Sequence, residues 1–98
     1  MKNIIDGKIM VIKNKKDYYR IKDETILIVK NTTPDITIII NKIKAIVTEI
    51  DNKLCHAAII AREFNIPLLM GINNVTEKFK TGDRVIIDFD NKNIEKIK

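Results

Sequence analysis

Apolar residues in this chain fall in short runs, each closed by charged or turn-forming residues. That is the pattern of strands and compact helices rather than of one long amphipathic element. "KIMVI" (Lys8 to Ile12) and the stronger "TILIVK" (Thr25 to Lys30) read as strands. The charged stretch between them, Lys13 to Glu24, reads as a loop or hairpin carrying Tyr18 and Tyr19. "NTTPD" is a helix-start signal, with Thr33 as cap, Pro34 at the first helical position and Asp35 in the first turn. The run that follows, "ITIIINKIK", is β-branched and by propensity favours a strand, so two signals conflict there.

"AIVTEI" (Ala45 to Ile50) is another buried-strand candidate, and "DNKL" a polar turn. "CHAAIIAREF" is the best helix, because Ala57, Ile60, Ala61 and Phe64 fall on one stripe at 3.6 residues per turn. Asn65 suits a left-handed cap, and Pro67 forbids continuation. "IPLLMG" then reads as a short buried strand, "NVTEKFK" as a turn or two of helix, and "TGD" as a turn. "RVIIDF" (Arg84 to Phe89) and "NIEKIK" (Asn93 to Lys98) form a closing hairpin around "DNKN". The order predicts a mixed α/β chain, a single domain over residues 1–98.

Composition narrows the picture. The chain has 98 residues, 45% of them apolar, with three glycines and two prolines, enough for one modest core and too regular for disorder. No run approaches the ~20 apolar residues of a membrane span, so no membrane association is expected. "MKNIIDGKIM" does not read as a signal peptide, and a lone cysteine allows neither an internal disulfide nor a metal cluster. The expected compartment is the cytoplasm. A net charge of +5 invites a nucleic-acid reading. The lysines are scattered, however (Lys13, Lys15, Lys16, Lys42, Lys44, Lys78, Lys80, Lys96, Lys98), with acidic residues among them and few aromatics for stacking. A solvated lysine-rich surface is the favoured reading, and nucleic acid is not an expected partner.

The candidate chemistry lies in the central helix. His56, the only histidine, sits in its first turn at the edge of the apolar stripe. A helix start offers unpaired backbone N–H groups and the positive end of the dipole. There a neutral, nucleophilic ring is expected, and the same N–H groups can hold a phosphoryl group attached to its nitrogen. Ala57 and Ala58 suit this, since small side chains leave the backbone open; Cys55 completes the set of candidate phosphate-supporting residues. A histidine here can equally be a cap or a packing residue. Cys55 as a thiol nucleophile is the weaker alternative, because adjacent helical residues point about 100° apart and a Cys–His pair must face each other. Arg62 and Glu63 read either as ordinary surface or as contacts to a partner.

"CHAAIIAREFNIP", preceded by "AIVTE" and followed by "TGDRVIID", resembles the mobile phosphohistidine domain of phosphoenolpyruvate-utilising enzymes, among them phosphoenolpyruvate synthase and pyruvate phosphate dikinase. The family pattern is roughly I-V-T-D-x-G-G-x-T-[SC]-H-A-A-I-x-A-R-E-x-G-I-P. The likeness extends upstream to "TILIVKNTTPD", so it runs from Thr25 to the end. It implies a compact three-layer β/β/α swivelling domain and settles Ile36 to Lys44 as helix. It also implies that His56 is transiently phosphorylated while the domain moves between two sites. A separate donor, dependent on ATP or phosphoenolpyruvate, would load the ring, and a separate acceptor would unload it. No cofactor would be bound by this chain, and Mg²⁺ would belong to the partner's active site.

Departures from the pattern are specific. The two motif glycines fall on Asp51 and Asn52, and the glycine after the helix on Asn65, residues that tolerate positive φ best among non-glycines. The threonine two before the histidine is Leu54, which removes a hydroxyl. Asp88 keeps the late V-D-G aspartate, with Phe89 in place of the glycine. The 98 residues contain no glycine-rich phosphate loop and no metal-ligand set, so they read as a phosphotransferase component without its own nucleotide or pyruvate site. The alternative is a non-catalytic binding or regulatory module that keeps the fold without efficient phosphotransfer.

Overall fold

The structure, a computed structural model, describes residues 3–32 and 34–97; Thr33, expected as a helix cap, lies outside them. Six strands follow one hydrogen-bonded order, β4-β3-β2-β1-β5-β6. They are β1 (Ile4–Ile12), β2 (Thr25–Val29), β3 (Ile43–Thr48), β4 (Leu68–Leu69), β5 (Arg84–Asp88) and β6 (Asn93–Lys96). β1 to β4 pair in parallel, whereas β5 pairs antiparallel with both β1 and β6.

The sheet becomes two layers because β1 divides its partners. Ile4 to Lys8 pair with β5, and Ile9 to Ile12 pair with β2. Strand alternation then sorts the side chains. Ile26, Ile28, Ala45 and Val47 join Val85 and Ile87 of β5 in one apolar cluster. Leu27, Val29 and Ile46 point the other way, into a second cluster with Ile36, Ile39, Ile40 and Ile60 from the helical segments. Strands β2 and β3 are therefore covered on both faces, which explains why "TILIV" shows no polar alternation. The result is a three-layer β/β/α fold, as the resemblance implied.

Helical segments fill the connections. A 3₁₀ helix spans Lys15–Arg20, where a loop or hairpin was expected. Its cause is local: Asn14 Oδ1 accepts from the Lys16 N–H, and Asp17 accepts from the N–H groups of Lys13 and Asn14. Tyr18 is buried in the core beneath it, while Tyr19 is exposed. A second 3₁₀ helix, Pro34–Lys42, resolves the conflict in favour of helix. Ile36, Ile39, Ile40 and the following Ile43 are buried at helical spacing, so packing overrides β-propensity.

The helix α1 (His56–Glu63) begins one residue after the expected Cys55, which serves as its N-cap residue. Ala57, Ile60 and Ala61 are buried as the stripe predicted, but Phe64 is not; it is the C-cap and turns away with 43% of its surface exposed. Asn65 adopts φ 55°, and the Ile66 N–H reaches back to the Ala61 carbonyl at 2.8 Å, closing the helix with a left-handed residue. A short α2 (Val75–Lys78) precedes the final hairpin, where Asp88 accepts from the N–H groups of Asp90 and Asn91. Other boundaries move modestly: β1 starts four residues before Lys8, and β3 covers Ile43–Thr48 rather than Ala45–Ile50.

Candidate functional site

The parallel strands β1, β2 and β3 end on one side of the molecule, the side where ligands meet parallel sheets. Two chain segments converge there. Past the end of β2, the Asn31 side chain accepts from the Thr32 N–H at 2.9 Å and fixes the turn. Past the end of β3, Glu49 and Ile50 donate to the carbonyls of Val29 and Lys30, so the two exits stay in register. The Asp51–Leu54 segment then crosses the surface. Asn52 accepts from Leu54 through its side chain (2.9 Å) and from Cys55 through its carbonyl (3.0 Å), which delivers the chain into α1. Asn52 thus uses side-chain and backbone contacts in a turn where the family pattern has glycines.

His56 is the first residue of α1, half-buried, and its Nδ1 lies 2.7 Å from Oγ1 of the buried Thr32. Nδ1 is the ring nitrogen that has a protein hydrogen-bond partner among the described residues. Sequence reasoning reads "NTTPD" as a helix start and misses this role of Thr32. The motif itself is visible; that its second residue meets His56 from 24 positions away is not. The N-cap Cys55 makes no side-chain cap bond to α1, and the first turn carries no acidic residue. The first turn of α1 therefore adds no carboxylate of its own against the positive end of the helix, an arrangement that favours an anion there.

The other expected site residues divide. Ala57 and Ala58 are both buried, Ala57 completely, so neither presents an open backbone to a ligand in this conformation. Cys55 is a partly exposed free thiol, and the ring nitrogen bonds Thr32 rather than the thiol. Arg62 and Glu63 are exposed and make no ion pair among the described residues, so both are open to a partner. Leu54 is 81% exposed. Among the described residues no group of three His, Cys, Asp or Glu side chains could hold a metal ion.

Glu49, the acidic residue at the family's aspartate position, looks away from this chemistry. Its Oε2 accepts from Thr76 Oγ1 (2.5 Å) and from the Thr76 N–H (3.1 Å), at the start of α2. The Thr76 hydroxyl bond, helped by the Thr76 N–H and the Lys30 charge, holds its carboxyl below the usual range against an opposing desolvation effect. Glu49 caps a helix beside the site and leaves His56 alone.

Residues 21–92 match the family model described as PEP-utilising enzyme, mobile domain. The chain belongs to this family. This mobile domain is 42% identical over 81 residues to a phosphoenolpyruvate synthase of Synechocystis, covering 83% of the present chain. It is 40% identical over 81 residues to the phosphoenolpyruvate synthase of Escherichia coli, again 83% of this chain. In both cases it covers 10% of the relative, so the mobile domain spans about a tenth of the length of these curated relatives. Among solved structures, Enzyme I in solution aligns with a TM-score of 0.63 at 28% identity, over 81% of this chain and 33% of that one. An aconitase X chain of Thermococcus kodakaraensis aligns with a TM-score of 0.70 over 99% of this chain and 92% of that one; at 16% identity it shows the fold alone. No helix among the described residues is long and apolar enough to cross a membrane.

Proposed function

We propose that this mobile domain is a phosphohistidine carrier, with Nε2 of His56 as the acceptor of the phosphoryl group. The observation that carries this reading is the 2.7 Å contact between Thr32 Oγ1 and His56 Nδ1 at the start of α1. Transfer needs the tautomer with its proton on Nδ1: the ring donates to Thr32, and Nε2 keeps its lone pair in plane. That lone pair attacks phosphorus in line as the bond from phosphorus to the donor's leaving oxygen breaks. The Nε2–P bond forms, and the positive end of the α1 dipole favours the new negative charge. Return of the phosphoryl group to an acceptor reverses the step, so one difficult transfer becomes two displacements.

Donor and acceptor belong to separate proteins or domains, one site dependent on ATP or phosphoenolpyruvate and the other of the pyruvate type; Mg²⁺ belongs to the partner's chemistry. Arg62 and Glu63, exposed on the last turn of α1, are the contacts offered to such a partner. A ring buried by Leu54 would favour a non-catalytic module; the exposure of Leu54 and a ring only half-buried support the carrier instead.

Intact-mass analysis tests the reading. The chain and its His56→Ala variant are incubated with lysate of the source organism plus phosphoenolpyruvate or ATP and kept alkaline. A gain of one phosphoryl mass, lost on acidification and absent from the variant, is expected. A folded chain that gains no mass with either donor is the non-catalytic module instead.

A further inference from the structure

The +5 charge is not spread as evenly as the sequence suggests. At the end of the sheet opposite His56, where β2 and β3 begin, a cleft of about 430 Å³ is lined by Lys8, Arg20, Lys22, Lys44 and Arg84. Only two carboxylates, Asp23 and Glu24, stand against these five cations in the lining. Segments remote in sequence meet here: β1 where it passes from β5 to β2, the end of the first 3₁₀ helix, and the start of β5.

The cations are not used up inside the protein. Arg84 has Asp6 at 3.6 Å, and Lys44 donates to the Asp6 carbonyl at 2.7 Å. Lys44 is aimed there by a register shift, since Thr25 pairs with Ile43 and Ile26 with Ala45. Lys8, Arg20 and Lys22 are exposed and have no anionic partner among the described residues. Five cations against Asp23, Glu24 and the Asp6 carboxylate leave the concavity net positive, a field that a complementary anion would relieve. Gly82 leaves open space above its Cα on the same wall, so an extended backbone can approach closely.

We infer that this cleft docks an acidic segment of a partner protein, a run of Asp and Glu residues. No aromatic side chain lines it, which disfavours single-stranded nucleic acid, whose bases need stacking platforms. The position also fits a tether. The length of β2, about 16 Å at roughly 3.3 Å per residue, separates the cleft from the end where Thr32 meets His56. A chain held here keeps its histidine end free to visit two sites. The tether rests on the carrier reading; the docking itself does not.

The test is fluorescence anisotropy with a fluorescein-labelled octaglutamate peptide at about 50 mM salt. Two charge-matched variants are compared: Lys8→Glu/Lys22→Glu in the cleft, and Lys53→Glu/Lys78→Glu outside it, all four positions exposed. Binding should weaken about tenfold or more in the cleft variant, less than about twofold in the control, and be lost near 300 mM salt. No binding, or equal loss in both variants, would overturn the inference. Binding of inorganic triphosphate or a single-stranded oligonucleotide without the peptide would overturn the acidic-segment assignment. Phosphorylation of His56, read by mass, is independent of either result, so failure of the tether and failure of the carrier are distinguishable.

Discussion

Thr32 and His56 stand 24 residues apart in the chain and 2.7 Å apart in space, joining the end of β2 to the first residue of α1. The contact does two things at once. It holds a half-buried ring through Nδ1, and it leaves Nε2 without a hydrogen-bond partner among the described residues.

Thr32→Val tests that division of labour. Valine keeps the buried volume and removes the hydroxyl, so the fold should lose only about 1 kcal/mol. Phosphorylation of His56 should slow about tenfold, because the ring is no longer held as the Nδ1–H tautomer. Nitrogen-15 NMR of the imidazole should show a more mixed tautomer population in the variant. An unchanged rate with an unchanged tautomer would remove Thr32 from the site.

Glu49 gives a pH prediction. Its carboxyl is held below the ordinary value of 4.5, chiefly by the Thr76 hydroxyl. A depressed folded value means that its stabilisation is present above the unfolded value and is lost as pH falls through the folded one. Glu49→Gln should lower stability at neutral pH by about 1 kcal/mol, the usual worth of a helix cap. It should also flatten the acid limb of the melting-temperature curve below about pH 4.5. Parallel acid limbs in wild type and variant would contradict the assignment.

Gly71 sits at φ 78°, and a Cβ there would lie 3.0 Å from Cβ of Asp51. Gly82 sits at φ 96° with nothing near. Gly82→Ala should cost about 1 kcal/mol for backbone strain alone, and Gly71→Ala more, about 2 kcal/mol. Adding Asp51→Gly to Gly71→Ala should recover part of the difference, since the crowding side chain is gone. Denaturant unfolding of wild type and the three variants reads this directly, and equal costs at the two glycines would refute the crowding.

Leu54→Thr returns a hydroxyl two residues before His56. Leu54 is exposed, so stability should stay within about 0.5 kcal/mol. Phosphorylation of His56 should rise about fivefold, the worth of one added hydrogen bond to the phosphoryl group. No rise would mean that the backbone of α1 suffices.

Much of the fold is legible in the residues themselves. The stripe of α1, the cap at Asn65, the β2 strand and the closing hairpin follow from spacing and turn chemistry, and the candidacy of His56 from its place at a helix start. What escapes a linear reading is tertiary. Which tyrosine of the 3₁₀ helix Lys15–Arg20 enters the core is set by packing, since the buried Tyr18 looks no different from the exposed Tyr19 beside it. Thr32 as the partner of His56, and five cations gathered at one cleft, depend on how parallel strands bring distant segments together. The family likeness, not propensity, settles the isoleucine run as a helix.

The way β1 divides its partners also sets an order of assembly. A chain emerging from the ribosome can pair residues 9–12 with β2 soon after residue 29 appears. Residues 4–8 must wait for residues 84–88 before their edge is satisfied. Until residues 84–88 follow, β1 is thus half closed and half open, an unpaired template of the kind that invites intermolecular association. The last hairpin is the clasp, and the nascent chain is at its most vulnerable just before β5 arrives.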